Sequence, residues 1–432
     1  NGALVVFVAG LLLLRTRERT TRADTLSTAT LGGAREIRPI PPELRDLPVV
    51  RKWVRALTTL LTVVVLGLPW ALSPGQTNLA AVAFIYMIIG LSLLVLTGWA
   101  GQISLGQFAF AAIGGYVVAV WDAPSLITVL AAALCGAVLA LAVGIPALRL
   151  QGTYLMISTL ALSVSVTAIV VSPRYLGQQL PATLDRPSVF GLSLENQRTF
   201  YYTCLLVLAL SILAVVGLRR SRIGRVLIAA RDNEQSAQSF GIGVMRARLT
   251  GFAISGFLAA LAGALFAYHQ HGLPLASFSE AQSIDMFTMT VVGGLSSIAG
   301  PLLGGTYVGI LLVFDTSPFV RAFAVGFGGL VVLLLWPGGL NQLFFGARDA
   351  FLRRVAKRNR IVVPSLVADL KVEREDRRVP LAPKGSGAYV PQRYLLADQW
   401  GLPSEPEATS SSSSSTQGFE GLAAEAELEP AP

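Results

Sequence analysis

Arg231, Asp232, Asn233 and Glu234 stand side by side in the polar stretch 219–249, followed by Ser236, Ala237 and Gly241. A short charged segment that closes on a glycine suits docking onto another protein rather than catalysis. Elsewhere the residue types that carry chemistry are scarce. His269 and His271, the only two histidines, are two positions apart and cannot share a helix face. Cys135 and Cys204 lie far apart inside apolar runs, without metal-ligand spacing. Asp122, Asp285 and Asp315 fall near the ends of predicted spans, and Arg149 at an edge. No apolar run holds an interior ionisable pair of the kind that ion-coupled carriers use as a relay. A Gly-x-x-x-x-Gly-Lys-Ser/Thr phosphate loop is missing as well. The sequence thus offers no way of its own to couple energy to work. It implies an energising partner, and the 219–249 loop is the place for that partner to bind.

A second group of candidates consists of small residues that interrupt apolar runs. The stretch Gly98 to Gln107 contains Gly101, Gln102, Ser104 and Gly106. Backbone unwound at membrane depth is tolerated only where protein buries it or where it lines a watery cavity. Transport proteins use such breaks to present backbone dipoles to a solute. The alternative is a tight turn followed by close helix packing. Gly152, Thr153 and Tyr154 open another apolar run, with Ser158, Thr159, Ser163, Ser165 and Thr167 spaced along it. Those hydroxyls suit either a polar solute or bonds between helices. Gly293 and Gly294, followed by Gly300, Pro301, Gly304 and Gly305, mark a third break or hairpin.

The elements that must position these residues follow from composition. The 432 residues are 53% hydrophobic and 14% charged, where a soluble domain is about 25% charged. Mean hydropathy is +0.62 and the pI near 9.9. The net charge of +9 does not point to nucleic acid, because the basic residues cluster between apolar spans and after the last one. Apolar segments run over 54–72, 79–97, 108–121, 125–148, 153–172, 200–218, 250–269, 284–299, 300–315 and 319–336. This predicts an all-α polytopic transmembrane bundle of about eight to ten spans, at ~20 residues per span. The segments at 108–121, 284–299 and 300–315 are expected to be short or broken. Arg219, Arg220, Arg222, Arg225, Arg231, Arg246 and Arg248 in one loop, and Arg348, Arg353, Arg354, Lys357, Arg358 and Arg360 after the last span, put both segments in the cytoplasm by the positive-inside rule. Residues 1–14 are expected to be the remnant of an upstream transmembrane helix in a longer polypeptide, and 15–53 a cytoplasmic linker. Residues 54–337 are expected to form the membrane domain, and 338–432 a largely disordered cytoplasmic tail with a helix candidate at 349–360.

Four ordered motifs carry a resemblance: GWAGQISLGQFAFAAIGGY (98–116), RLQGTYLMISTLAL (149–162), the run from Gly224 to Leu265, and VVGGLSSIAGPLLGG (291–305). Together they resemble the Liv-type permeases, membrane subunits of ABC importers for branched-chain amino acids, other amino acids, and urea or short amides. The resemblance spans about Asn78 to Gly339. It implies a non-enzymatic transport subunit in a bacterial plasma membrane, working by alternating access. The implied partners are cytosolic ATPases, a second related permease and an extracytoplasmic solute-binding protein. ATP and magnesium would be bound by the ATPase and no cofactor by this chain. Glu234, Ser236, Ala237 and Gly241 match the segment that docks into the ATPase in such importers; Ser236 stands where alanine is common. From another class, a self-sufficient channel or secondary carrier would need none of these partners. A membrane enzyme would need a cluster of carboxylates or histidines that the sequence lacks.

Overall fold

In hydrocarbon a backbone N–H or C=O has no water to bond, so an apolar run that enters a membrane becomes a helix. The computed structural model of the chain follows that rule. It describes residues 44, 47–121, 126–148, 153–172, 175–181, 183–186, 188–189, 192–314 and 323–358. Of the expected remnant 1–14 and linker 15–53, all but Leu44 and the residues from Leu47 onward lie outside the described residues.

Thirteen α-helices are present among the described residues: α1 Pro48–Ala71, α2 Pro74–Leu93, α3 Gln107–Val120, α4 Leu126–Ala147, α5 Thr153–Val171, α6 Gln197–Arg220, α7 Arg222–Asp232, α8 Glu234–Ser239, α9 Val244–Gln270, α10 Glu280–Gly293, α11 Ala299–Phe314, α12 Gly329–Leu335 and α13 Leu340–Arg358. A π-helical turn, Leu94–Trp99, extends α2, and another, Ala324–Gly328, leads into α12. The only strands among the described residues are β1 Ser188–Val189 and β2 Leu192–Ser193, an antiparallel pair with Ser188 opposite Ser193. The fold is all-α, as expected. Among the described residues five helices are long and apolar enough to cross a membrane: α1, α2 with its π turn, α4, α6 and α9. The segment Ala324–Leu335 and the following Leu340–Ala356, bent by 45°, form a sixth if taken as one broken span. The runs expected to be short are so: α3 and α10 have 14 residues each and α11 has 16.

Two helices make the core. Of the apolar window of α2, 94% is buried, against 6% for α1. A capping box starts α2: Ser73 Oγ accepts from the Gln76 amide at 3.4 Å, and Gln76 Oε1 accepts from the Ser73 amide at 3.1 Å. Helix α9 packs on α2, α3 and α4. Small residues allow that approach: a Cβ on Gly263 would lie 2.0 Å from the Ala111 carbonyl oxygen, and one on Gly136 2.1 Å from Ala260 Cβ. On α4, Ile127, Leu130, Leu134, Val138, Leu141 and Ile145 recur every three or four residues and are all exposed, while Ala132, Ala133 and Ala140 on the opposite face are fully buried. An apolar stripe open to its surroundings beside a buried small-residue face is the pattern of a helix between lipid and protein.

Helix α1 is held differently. Pro69 lies inside it and has no N–H, so the Val65 carbonyl loses its partner one turn back. The Tyr201 hydroxyl on α6 donates to that carbonyl at 2.7 Å, and the Tyr202 hydroxyl to the Leu66 carbonyl at 2.9 Å. At the other end of α1, Trp53 stacks on Phe351 of α13 at 4.7 Å.

The boundary expected at 337 is not where packing stops. Asn341 and Leu352 on α13 are 1% exposed, and Asn341 bonds back to the turn between α10 and α11. The chain separates into the units Asn1–Ala356 and Lys357–Pro432. Of the second, only Lys357 and Arg358, which finish α13, are among the described residues.

Candidate functional site

Most of the residues singled out by sequence converge at one end of the bundle, in two layers. The outer layer is the arm formed by α7, α8 and the start of α9. Ser221 caps α7 by accepting from the Gly224 amide at 3.3 Å. Asn233, extended at φ −151°, ends α7 and caps α8 through its Oδ1, which accepts from the Ser236 amide at 2.9 Å. Ala237 is buried against Ala230, Val244 and Ile242, which fixes α8 to its neighbours. Gly241 turns the chain at φ +74°, a left-handed conformation that an L side chain adopts only under strain. Glu234 faces back into the arm: Arg248 on α9 grips its carboxylate through Nη2 to Oε2 at 2.8 Å and Nη1 to Oε1 at 3.3 Å. Phe240, 84% exposed, stands at the tip.

The inner layer is the stretch Gly98–Gln107. The ladder of α2 widens into the π turn, the Ala100 amide bonds the Val95 carbonyl at 3.0 Å, and Gly101 reverses at φ +69°. The stretch then turns back into the bundle, its backbone satisfied piece by piece. The Gln102 amide donates to the Leu96 carbonyl at 3.0 Å, Thr97 Oγ1 to the Gln102 carbonyl at 3.1 Å, and the Leu105 amide to Thr159 Oγ1 at 3.0 Å. Ser104 Oγ accepts from the Gly106 amide at 3.2 Å, and Ser283 Oγ from the Phe108 amide at 3.2 Å. Such pairing is what irregular backbone inside a membrane protein requires.

Helix α3 therefore starts inside the bundle, at a polar cluster. Gln107, 1% exposed, donates through Nε2 to Ser255 Oγ at 3.2 Å and accepts at Oε1 from Ser92 Oγ at 3.2 Å. Ser283 meets Ser163 Oγ at 3.3 Å. Ser92, Ser104, Ser163 and Ser255 have no exposed surface. Ser92 lies seven residues ahead of Trp99, so the cluster sits about 10 Å inside the bundle.

The third glycine group is a tight hairpin between α10 and α11. A Cβ on Gly293 would lie 2.0 Å from the Gly300 carbonyl oxygen, and Gly294 adopts φ +111°. Asn341 of α13 closes it, accepting from Ser297 Oγ at 2.9 Å and donating to Ser296 Oγ at 2.8 Å. The hairpin adjoins the first break: a Cβ on Gly98 would meet the Leu295 carbonyl oxygen at 2.6 Å. The two layers are joined by Arg231, whose Nη1 donates to the Gly98 carbonyl oxygen while Nε and Nη2 bond Asp232 Oδ1 at 2.8 and 2.6 Å.

Gly101, Gln102, Ser104, Gly106 and Gln107 are thus brought together with Arg231 and Asp232, and Gly293 and Gly294 are their neighbours. Gly152 lies outside the described residues. Thr153 begins α5, and Tyr154, 73% exposed, stays apart from the cluster. On α5, Thr159, Ser163 and Thr167 face inward at four-residue spacing and bond other elements, whereas Ser165 bonds the Ala161 carbonyl of its own helix. Sequence reading missed Ser92, Ser255 and Ser283, each a single serine within its helix. Among the described residues no group of three or more histidines, cysteines or acids could hold a metal. At the opposite end, Arg186 donates through Nε to the Tyr268 carbonyl at 3.2 Å and lies 4.0 Å from the Phe200 ring centroid. Burial pulls its guanidinium below its ordinary pKa.

Comparison with known proteins bears on the whole bundle. Residues 75–335 match the family described as "Branched-chain amino acid transport system / permease component". The chain is 30% identical over 319 residues to the high-affinity branched-chain amino acid transport system permease protein LivM of Salmonella typhimurium, covering 65% of this chain and 73% of that protein. It is 31% identical to LivM of Escherichia coli over the same shares. Against BraD of Pseudomonas aeruginosa it is 30% identical over 193 residues, 43% of this chain and 62% of that protein. No solved structure matches it. With the family's pattern matched over more than half its length on a multi-pass helical bundle, the chain belongs to the branched-chain amino acid transport permease family.

Proposed function

We propose that this chain is the membrane-spanning subunit of an ATP-driven importer that brings branched-chain amino acids into the cytoplasm by alternating access. The observation that carries the reading is the arm α7–α8–α9, a polar helical projection whose inner residue, Arg231, bonds the backbone of a break leading to a buried polar cluster. A projection of that kind can receive motion from a partner and pass it inward. The arm and α13, both rich in arginine, meet the same end of the bundle, which we assign to the cytoplasm of a bacterial plasma membrane. The partners are cytosolic ATPases that bind ATP and magnesium, a second related permease, and an extracytoplasmic binding protein that delivers the solute to the Arg186 end. The relatives' names, LivM and BraD of branched-chain amino acid systems, support the choice of solute.

The test is a pull-down of the tagged full chain from its native membrane in mild detergent, followed by mass spectrometry. The expected result is co-recovery of an ATPase with a phosphate loop, lost in Gly241→Asp while the chain still inserts. Recovery without any ATPase, together with solute flux in liposomes holding this chain alone, would replace the importer with a channel or secondary carrier.

A further inference from the structure

Resting on that reading, we propose that Arg231 is a positioning residue that links the docking arm to the chain break, rather than part of the surface that meets the ATPase. Three observations carry the link. First, its direction is set from inside the arm. Neighbours in sequence do not face each other along a helix, but α7 ends at Asp232, and the Asp232 carboxylate takes both Nε and Nη2. That leaves Nη1 to reach the Gly98 carbonyl oxygen. Second, that carbonyl belongs to the last turn of a helix, where no amide of a following turn is in place to donate. The guanidinium supplies the donor, with a charge that strengthens the bond. Third, the stem of Arg231 lies flat on the break: a Cβ added to Gly101 would sit 2.8 Å from Arg231 Cγ. Around it, a Cβ on Gly251 of α9 would meet Ala100 at 3.0 Å and Leu227 of α7 at 3.4 Å. The arm, the break and α9 share one packed contact there.

The route onward is short. From Gly98 the chain passes through Gln102 and Ser104, both buried, to Gly106 and the start of α3 at Gln107. A rotation of α7 that withdraws Arg231 removes the donor from Gly98 and the packing from Gly101 together. The stretch 102–106 is then free to shift, and with it the hydrogen bonds from Gln107 to Ser92 and Ser255. Arg231 also stands one residue from the hairpin, through the contact of Gly98 with Leu295.

The test compares wild type, Arg231→Lys and Arg231→Gln, each as the full chain in the complex isolated from its native membrane. The quantities read are ATPase co-purified, ATP hydrolysed, and radiolabelled leucine taken into proteoliposomes per ATP. The link predicts unchanged co-purification, with leucine per ATP about tenfold lower in Arg231→Gln and intermediate in Arg231→Lys. Leucine per ATP at the wild-type level overturns it. Loss of co-purification equal to that of Gly241→Asp also overturns it, by placing Arg231 in the docking surface. A second readout needs no partner. With the exposed Cys135 replaced by serine and Ser104→Cys as reporter, a thiol reagent should label the buried reporter about fivefold faster once Arg231→Gln is added. Equal rates overturn the link. A wild-type complex that carries no leucine would refute the importer reading instead, and the labelling result would still decide the link.

Discussion

The two glycine-bearing interruptions, 98–106 and 293–300, look alike in sequence and are built for different ends. In the hairpin, backbone meets backbone: Gly293 lies on the Gly300 carbonyl, and Asn341 closes the turn from outside. In the first break, main-chain contacts at Gly98 and Gly106 are joined by side chains: Arg231 at Gly98 and Gly101, Thr159 at Leu105, Ser283 at Phe108. A turn sealed by main chain has one arrangement. A stretch held in part by side chains from three helices can exchange those partners. Glycine inside a membrane run thus signals close approach, and the atoms approached decide whether the segment is a fixture or a moving part.

Substitutions sharpen that contrast. The largest effect belongs to the hairpin. A Cβ on Gly300 would lie 1.7 Å from the Gly294 carbonyl oxygen, and main chain cannot give way. Gly300→Ala should cost on the order of 3 kcal/mol or more, seen as loss of the monodisperse peak in size-exclusion chromatography. Next is Gln107→Leu, which leaves Ser255 Oγ buried without its partner. It should cost about 1–3 kcal/mol, read as a lower melting temperature, and reduce leucine uptake by more than the loss of folded protein. Uptake that falls only in proportion to folded protein would make the polar cluster a structural knot like the hairpin. The smallest effect is Gly101→Ala. The conformation at φ +69° costs about 1–2 kcal/mol for an L residue, and the nearest obstacle, 2.8 Å from the added Cβ, is the Arg231 side chain at Cγ rather than main chain. The chain should fold and insert with a modest loss of stability. Should Gly101→Ala abolish folding as Gly300→Ala does, the distinction between the two breaks fails.

Much of this architecture is legible in the sequence, for a physical reason. Each of the ten apolar runs contains helix among the described residues, because hydrocarbon leaves the backbone few other ways to satisfy itself. The short runs also declared themselves, since glycine and proline at 98–106 and 293–301 cut them below spanning length. Which polar atoms meet was hidden. Arg231 and Gly98 are 133 positions apart, and Gln107 and Ser255 are 148; nothing local records such pairings. Glu234 illustrates the same limit. Its place in the motif suggested a contact with a partner, and nothing local recorded its ion pair with Arg248, 14 positions on. The helical extent of α13 was understated because its first half is weakly charged and follows Pro337, and its anchor, Asn341, bonds a turn 44 positions earlier.

The hold on α1 has a consequence in time. The chain is made from its N-terminus at roughly 5–20 residues per second, and the phenol that satisfies Val65 is 136 residues downstream. For about 7–27 s, then, α1 sits in the bilayer with a carbonyl that has no native donor. Only 6% of the apolar window of α1 is buried in the finished bundle, so few of its other contacts wait on protein made later. Sparse packing of α1 therefore suits the order of synthesis: α1 emerges before its anchor exists, and joins the bundle when α6 arrives.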